Sequence, residues 1–350
     1  MVTGRQDRAE VNMMAVPGTR PGGIATSRAA LVILIAVGLV APLVVVQPFP
    51  RHVLIMVLVY AVLGHAWNII GGLTGQVSLG HAVYFGLGAY TSTKSFILWG
   101  LSPWVGMLLG AVVSALVSLA IGYPFFRLRG FYFAIATIAL GETARIIFLN
   151  LKAFGGAVGL EVPLSKGNPL LNMQFHSSKL PYYYIILAIF IAATLLVARL
   201  KRSKIGFYFR TIKESHDAAE SLGVDTFKYK VLALAVSAVI TSVCGSFYAQ
   251  YLLYIDPYVV MATGISTKIC LVTILGGEST LWGPLIGSAL LVFLAEYSRV
   301  WLGGGGRGVD LIVYGVLIVL VAAYQPKGIM GLFDRSNRRM SGGVPANESA

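Results

Sequence analysis

What most constrains this chain is a succession of apolar runs, each long enough to cross a bilayer, at about 29–46, 52–71, 81–99, 103–124, 130–150, 181–200, 230–250, 282–302 and 309–325. A hydrocarbon core about 30 Å thick takes roughly 20 residues of helix. The runs are continuous and do not alternate at period two, so each satisfies its own backbone as a helix and a closed barrel is excluded. Composition agrees, with 57% of the 350 residues hydrophobic and 12% charged, against about 25% charged in a soluble domain. The sequence therefore predicts an all-α, polytopic transmembrane bundle.

A net charge of +13 could suggest nucleic acid, but the basic residues are confined to particular loops and form no binding face. Arg5, Arg8, Arg20 and Arg28 precede the first run, Arg127 and Arg129 lie between the fourth and fifth, a cluster fills 199–230, and Lys327, Arg335, Arg338 and Arg339 close the chain. If the shorter apolar piece at 265–277 is also a span, the total is about ten (eight to ten), and all four basic segments fall on one side. The positive-inside rule makes that side cytoplasmic, with both termini there. These residues predict contact with anionic membrane lipids and no nucleic-acid partner. Residues 1–28 and 334–350 read as disordered cytoplasmic tails around a membrane domain at 29–333.

The basic loop at 199–230 contains a helix signal. Thr211 followed by Glu214 is a capping-box pattern, and Gly223 stands where a helix ends in a left-handed residue. The pattern predicts one helix over 212–222, with Glu214 and Asp217 in its first half and Ala218, Ala219 and Leu222 on one small apolar face. Asp225 or Thr226 would cap the helix that follows. Such a polar island in a membrane protein implies a partner that touches it.

Two segments inside the apolar region are broken. GGLTGQVSLGHAVYFGLGAYT at 71–91 is dense in glycine and carries Gln76, Ser78 and His81, which need protein partners or a water-filled path at that depth. LGGESTLWGPLIG at 275–287 has similar character. Broken helices of this kind mark pores and transport sites in membrane carriers; they also serve helix packing, and Gly71 with Gly75, Gly106 with Gly110 and Gly283 with Gly287 are small-xxx-small pairs. Tyr84 and Thr91 of the helix that follows, with Thr137 and Glu142 on the 130–150 run, join Gln76, Ser78 and His81 as candidates to line a path. Glu142 and Arg145, spaced i and i+3, can pair on one helix face. Lys268 and Glu296 are expected near span ends.

No P-loop sequence is present, so ATP hydrolysis by this chain is not expected. Neither are His-Glu-x-x-His, Gly-x-Ser-x-Gly or paired Cys-x-x-Cys, which argues against an enzyme and against a metal or cofactor site. Cys244 and Cys270 lie within apolar segments and read as packing residues.

GLTGQVSLGHAVYFGLGAYTS at 72–92, RLRGFYFAIATIALGETARIIFLN at 127–150, GGAVGL at 155–160, DAAESLGV at 217–224, LGGESTLWGPLIGSALLV at 275–292 and YGVLIVLVAAYQPKGIMGLF at 314–333 together resemble the LivM-type permease subunits of bacterial ABC importers for branched-chain amino acids. The resemblance implies an inner-membrane permease paired with a second, LivH-type permease subunit. It further implies two cytoplasmic ATPase subunits that bind the ATP, and an extracytoplasmic amino-acid-binding protein. The ATPases of such importers engage a loop with a Glu-Ala-Ala-x-x-x-Gly pattern. Asp217, Ala218, Ala219 and Gly223 occupy that spacing, with Asp in place of Glu and without the Ile-x-Leu-Pro continuation. ATPase closure would then move 212–222 as a rigid body, with Glu214 and Leu222 on the same helix. Two rival readings stay open: a related permease for urea, short amides or other amino acids, and an ion-coupled carrier in which Glu142 binds the ion.

Overall fold

The computed structural model describes residues 36, 38–45, 47–128, 130–164, 168–175, 178–301, 315–316 and 328–331. Met1–Val46 and Gln47–Ala350 are separate compact units. In the first, 38–44 is helical. The tails expected at 1–28 and 334–350, the start of the first expected span and most of the span at 309–325 lie outside the described residues.

The second unit is built from α1 (Pro48–Trp67), α2 (His81–Trp99), α3 (Pro103–Phe125), α4 (Phe131–Asn150), α5 (Leu180–Arg202), α6 (Lys204–Glu214), α7 (His216–Ser221), α8 (Thr226–Leu252), α9 (Thr263–Gly276) and α10 (Gly283–Trp301). It is an all-α, multi-pass membrane protein. Among the described residues, six segments are long and apolar enough to cross a membrane: Pro48–Leu73, Pro103–Phe125, Phe131–Asn150, Leu180–Arg202, Thr226–Leu252 and Pro257–Gly276. The last contains the piece that the sequence left ambiguous; a helical turn at Pro257–Val260 precedes α9 and lengthens it to 20 residues. α2 is not among the six, because its Ser, Thr, His and Gly residues lower its hydropathy.

α8 packs on α1, α2 and α3, and α1 packs in addition on α5, α9 and α10. The close approach of α2 to α8 depends on Gly88, where a Cβ would lie 2.0 Å from the Ser242 carbonyl oxygen. Gly106 and Gly110 of α3 press on α2 in the same way, as their spacing predicted. Gly71 and Gly75 do not form a helix interface: Gly71 faces its own Trp67, and Gly75 lies in a turn at φ +72°. Two short strands, β1 (Leu160–Glu161) and β2 (Tyr254–Ile255), pair antiparallel with Leu160 opposite Ile255. They tie the α4–α5 connection to the one after α8.

Burial differs sharply between helices. In Pro48–Leu73 the most apolar stretch is 89% buried, and in Phe131–Asn150 it is 22% buried. α1 is thus an interior helix, and most of α4 faces outward. Phe131 and Tyr132 at its start are exposed, whereas Phe133 stacks on Phe126 with ring centroids 5.1 Å apart.

Candidate functional site

The first break follows Trp67. The helix loosens into a π-helical turn at Asn68–Leu73 and the chain then runs without regular structure from 75 to 80. Glycines at 71, 72 and 75 favour this, since each lowers the cost of leaving the helical ladder. The freed groups find partners. Trp67 Nε1 donates to the Ser78 carbonyl (2.8 Å), Thr74 Oγ1 to that of Ile70 (2.6 Å) and the Gln76 amide also to Ile70 (3.0 Å). Leu79 N–H donates to Thr137 Oγ1 (3.0 Å), which donates in turn to the Ala134 carbonyl (2.8 Å). Ala82 N–H, in the first turn of α2, donates to Ser266 Oγ of α9 (2.8 Å).

His81 is fully buried, and its Nε2 lies 2.8 Å from Ser237 Oγ of α8. That hydroxyl donates its one hydrogen to the Ala66 carbonyl (2.7 Å), so it accepts from the imidazole, and the hydrogen-bond pattern assigns His81 an Nε2–H. One serine therefore joins α1, α2 and α8 at the break.

The second break, between α9 and α10, lies directly against the first. Asn68 Nδ2 donates to the Thr280 carbonyl and its Oδ1 accepts from Ser279 N–H, both at 2.8 Å. Ser279 Oγ donates to the Gly72 carbonyl. No side chain fits at Gly72, because a Cβ there would sit 1.8 Å from Asn68 Oδ1 and 2.8 Å from Ser279 N. Two lysines reach this junction from the basic hairpin at 199–230: Lys201 Nζ, at the end of α5, donates to the Ser279 carbonyl (2.6 Å), and Lys213 Nζ of α6 to Glu278 Oε1 (2.8 Å) and Ser279 Oγ (3.0 Å).

The hairpin corrects one expectation. Residues 212–222 are not one helix: α6 ends at Glu214, Ser215 is extended, and α7 starts at His216. Thr211 is no cap but lies in the last turn of α6, where its hydroxyl donates to the Phe207 carbonyl. The caps are serines, with Ser203 Oγ accepting from Gly206 N–H (3.2 Å) and Ser215 Oγ from Ala218 N–H (3.3 Å). A serine hydroxyl competes well for amides at a helix start, so Ser215 divides the run. Glu214 accordingly ends α6 and is not near the start of a helix. Gly223 has φ +78° and Asp225 Oδ1 accepts from Lys228 N–H, as predicted. Gly206, Phe209 and Ile212 bury one face of α6. Glu214, Asp217, Ala218, Leu222 and Gly223 are exposed, and Ala219 is fully buried. The expected face of Ala218, Ala219 and Leu222 is therefore split between the surface and the interior.

A family model described as a branched-chain amino acid transport system permease component matches residues 50–322. The chain belongs to this family. The permease is 26% identical over 319 residues to the high-affinity branched-chain amino acid transport system permease protein LivM of Salmonella typhimurium, covering 84% of this chain and 73% of the relative. The Escherichia coli LivM protein is 24% identical over the same shares. The nucleoside ABC transporter permease protein NupC of Lactococcus lactis is 23% identical over 208 residues, 55% of this chain and 63% of that one. No solved structure matches.

Of the residues expected to line a path, the permease gathers Ser78, His81, Tyr84 and Thr137, all buried, at the first break. Gln76 is half-buried there and Thr91 is half-buried ten residues along α2. Glu142 stands apart on the outward helix α4, paired with Arg145, whose guanidinium lies 5.1 Å from the Tyr258 ring centroid. Sequence reading missed Asn68, Ser237, Ser266 and Ser279, together with Lys201 and Lys213. Asn68 was visible as a polar residue inside the apolar run 52–71; the serines carried no signal of which carbonyl or amide each would meet.

Proposed function

We propose that the permease is the LivM-type half of the translocation path of a bacterial ABC importer for branched-chain amino acids, in the inner membrane, with about ten spans and cytoplasmic termini. It pairs with a LivH-type subunit, receives solute from an extracytoplasmic binding protein and is driven by two ATPase subunits that bind the ATP. Residues 199–230 form the coupling loop within a permease domain at 29–333. The observation that carries this reading is the hydrogen-bonded route from an exposed hairpin to the two breaks. Asp217, Ala218 and Leu222 offer a surface to an ATPase, with Glu214 and Gly223 at its edges, while Ala219 seats α7 on the body. Lys213 connects the same hairpin to Glu278 and Ser279, and Ser279 to Gly72 and Asn68. Motion imposed on the hairpin therefore reaches the segment that carries Gln76, Ser78 and His81.

An ion-coupled carrier would use Glu142, but that carboxylate is already paired with Arg145 on α4, the least buried of the six described spans. A permease for another solute is the second reading, and the likeness to a nucleoside permease favours keeping it in view. Co-purification of the chain with its neighbouring ATPase subunits, followed by ATP-dependent uptake of leucine, urea and a nucleoside in proteoliposomes, separates these. Uptake driven by an ion gradient without ATP would sink the importer reading, and uptake of a nucleoside but not leucine would change the solute.

A further inference from the structure

A groove of about 620 Å³ lies where α5 gives way to the basic hairpin. One face of α5 lines it with Ala192, Leu195, Leu196, Arg199 and Leu200, at the i, i+3, i+4 spacing of a single helix stripe. Ile205 of α6 and Val236 of α8 complete the apolar lining, and Ser203 stands at the turn between α5 and α6. Six of these eight residues are aliphatic, which leaves two that could meet a polar group. The Ser203 hydroxyl is committed, since it donates to the Leu200 carbonyl (2.7 Å) and accepts from Gly206 N–H (3.2 Å). The Arg199 guanidinium is thus the charge that the groove offers a ligand, and no carboxylate among the described residues lines it.

Residues 192–200 fall in the last three turns of Leu180–Arg202, a segment long and apolar enough to cross a membrane, and the exposed Arg202 and Lys204 follow at once. Hydrocarbon beside basic side chains at the end of a span complements a phospholipid. Its acyl chain suits the aliphatic stripe, and its phosphate suits the guanidinium, whose planar fork meets two phosphate oxygens together. A protein helix fits this place less well. Among large apolar side chains α5 exposes Leu195 and Leu196, at 39% and 42%, whereas α3 exposes Leu108, Val112, Leu116 and Tyr123, each by more than half. A partner helix would find the broader apolar face on α3; a single acyl chain needs no more than the α5 groove.

We infer that one anionic phospholipid seats in this groove, its phosphate on Arg199 and an acyl chain along Ala192, Leu195 and Leu196, and so joins α5, α6 and α8 at the base of the hairpin. The inference rests on the membrane fold and is independent of which solute is carried. The test is native mass spectrometry of the intact membrane complex, purified in detergent and mixed with equal amounts of phosphatidylglycerol and phosphatidylcholine. The wild type retains one phosphatidylglycerol in preference, and glycerol phosphate, which has the headgroup without the chains, does not displace it. Arg199→Gln lowers that retention by roughly tenfold, the worth of one charge-assisted hydrogen bond. Ala192→Trp fills the groove and lowers it as far with the charge unchanged; both side chains are exposed, so both variants fold. Arg127→Gln, which removes the same charge from another loop, leaves retention at the wild-type level. Wild-type retention in Arg199→Gln or Ala192→Trp overturns the site, as does an equal loss in Arg127→Gln, which would reduce it to diffuse charge attraction. A benzophenone placed on Leu196→Cys that cross-links to another protein chain in place of lipid also overturns it and makes the groove a subunit interface.

Discussion

Lys213 and Lys268 meet the same helix, α9, at two places. Lys213 comes from α6 and holds the turn just past the C-terminus of α9, through the Glu278 carboxylate and the Ser279 hydroxyl. Lys268 belongs to α9 itself, ten residues before that turn, about 15 Å along the axis, and lines an apolar groove. The first site is built from many polar partners and resists displacement; at the second, Lys268 is half-buried in a groove that Tyr60, Phe85, Tyr248 and Tyr258 also line. Their contrast separates an end of α9 that the hairpin holds from a stretch of the same helix that lines a groove.

Four experiments break or sharpen that contrast, in descending order of effect. Asn68→Leu removes the buried amide that satisfies Ser279 N–H and the Thr280 carbonyl, and should destabilise the fold by about 3 kcal/mol, the cost of stranding buried polar groups. A thermal melt of the detergent-solubilised protein reads this, and an unchanged melting temperature would contradict the Asn68–Ser279 junction. Ala218→Asp and Gly223→Val come next. The first puts a second carboxylate on exposed α7 and the second puts a β-branched residue at positive φ. Both should cut uptake severely with membrane insertion intact, so normal uptake in both would remove α7 as the ATPase contact.

Lys213→Met should have an intermediate effect. Its ammonium is partly exposed, so the stability loss stays under about 1 kcal/mol, but more ATP should be hydrolysed for each solute imported. A wild-type ratio would show that the Lys213 link transmits nothing. The smallest effect is expected for Glu142→Gln, since its carboxylate is paired with Arg145 within one helix and is partly exposed. Uptake should continue, and abolition of uptake with normal expression would return Glu142 to a central role.

The class of fold was legible because apolar run length is a direct physical requirement of the bilayer, and the ambiguous piece at 265–277 needed only the turn at Pro257–Val260 to reach spanning length. Both glycine-broken segments were legible as breaks. Their joining through Asn68 and Ser279 was not, because residues 211 positions apart in sequence leave no periodicity to read. The hairpin was half legible. Gly223 and Asp225 act as their chemistry predicts, but Thr211-x-x-Glu214 and Ser215 compete as helix starts within a few residues, and only packing of Phe209 and Ile212 against the body decides for Ser215.

α8 begins at Thr226, whose hydroxyl donates to Glu220 Oε1 of α7 (2.8 Å), and continues unbroken for 27 residues. At 1.5 Å per residue that is a rod about 40 Å long, so a tilt of about 5° at its base would swing the far end by about 3.5 Å. Just past that end lies β2, paired with β1, so the swing would carry the connection between α4 and α5 with it. A small rotation entering at one face of the protein would thus leave as a displacement wider than a water molecule at the other.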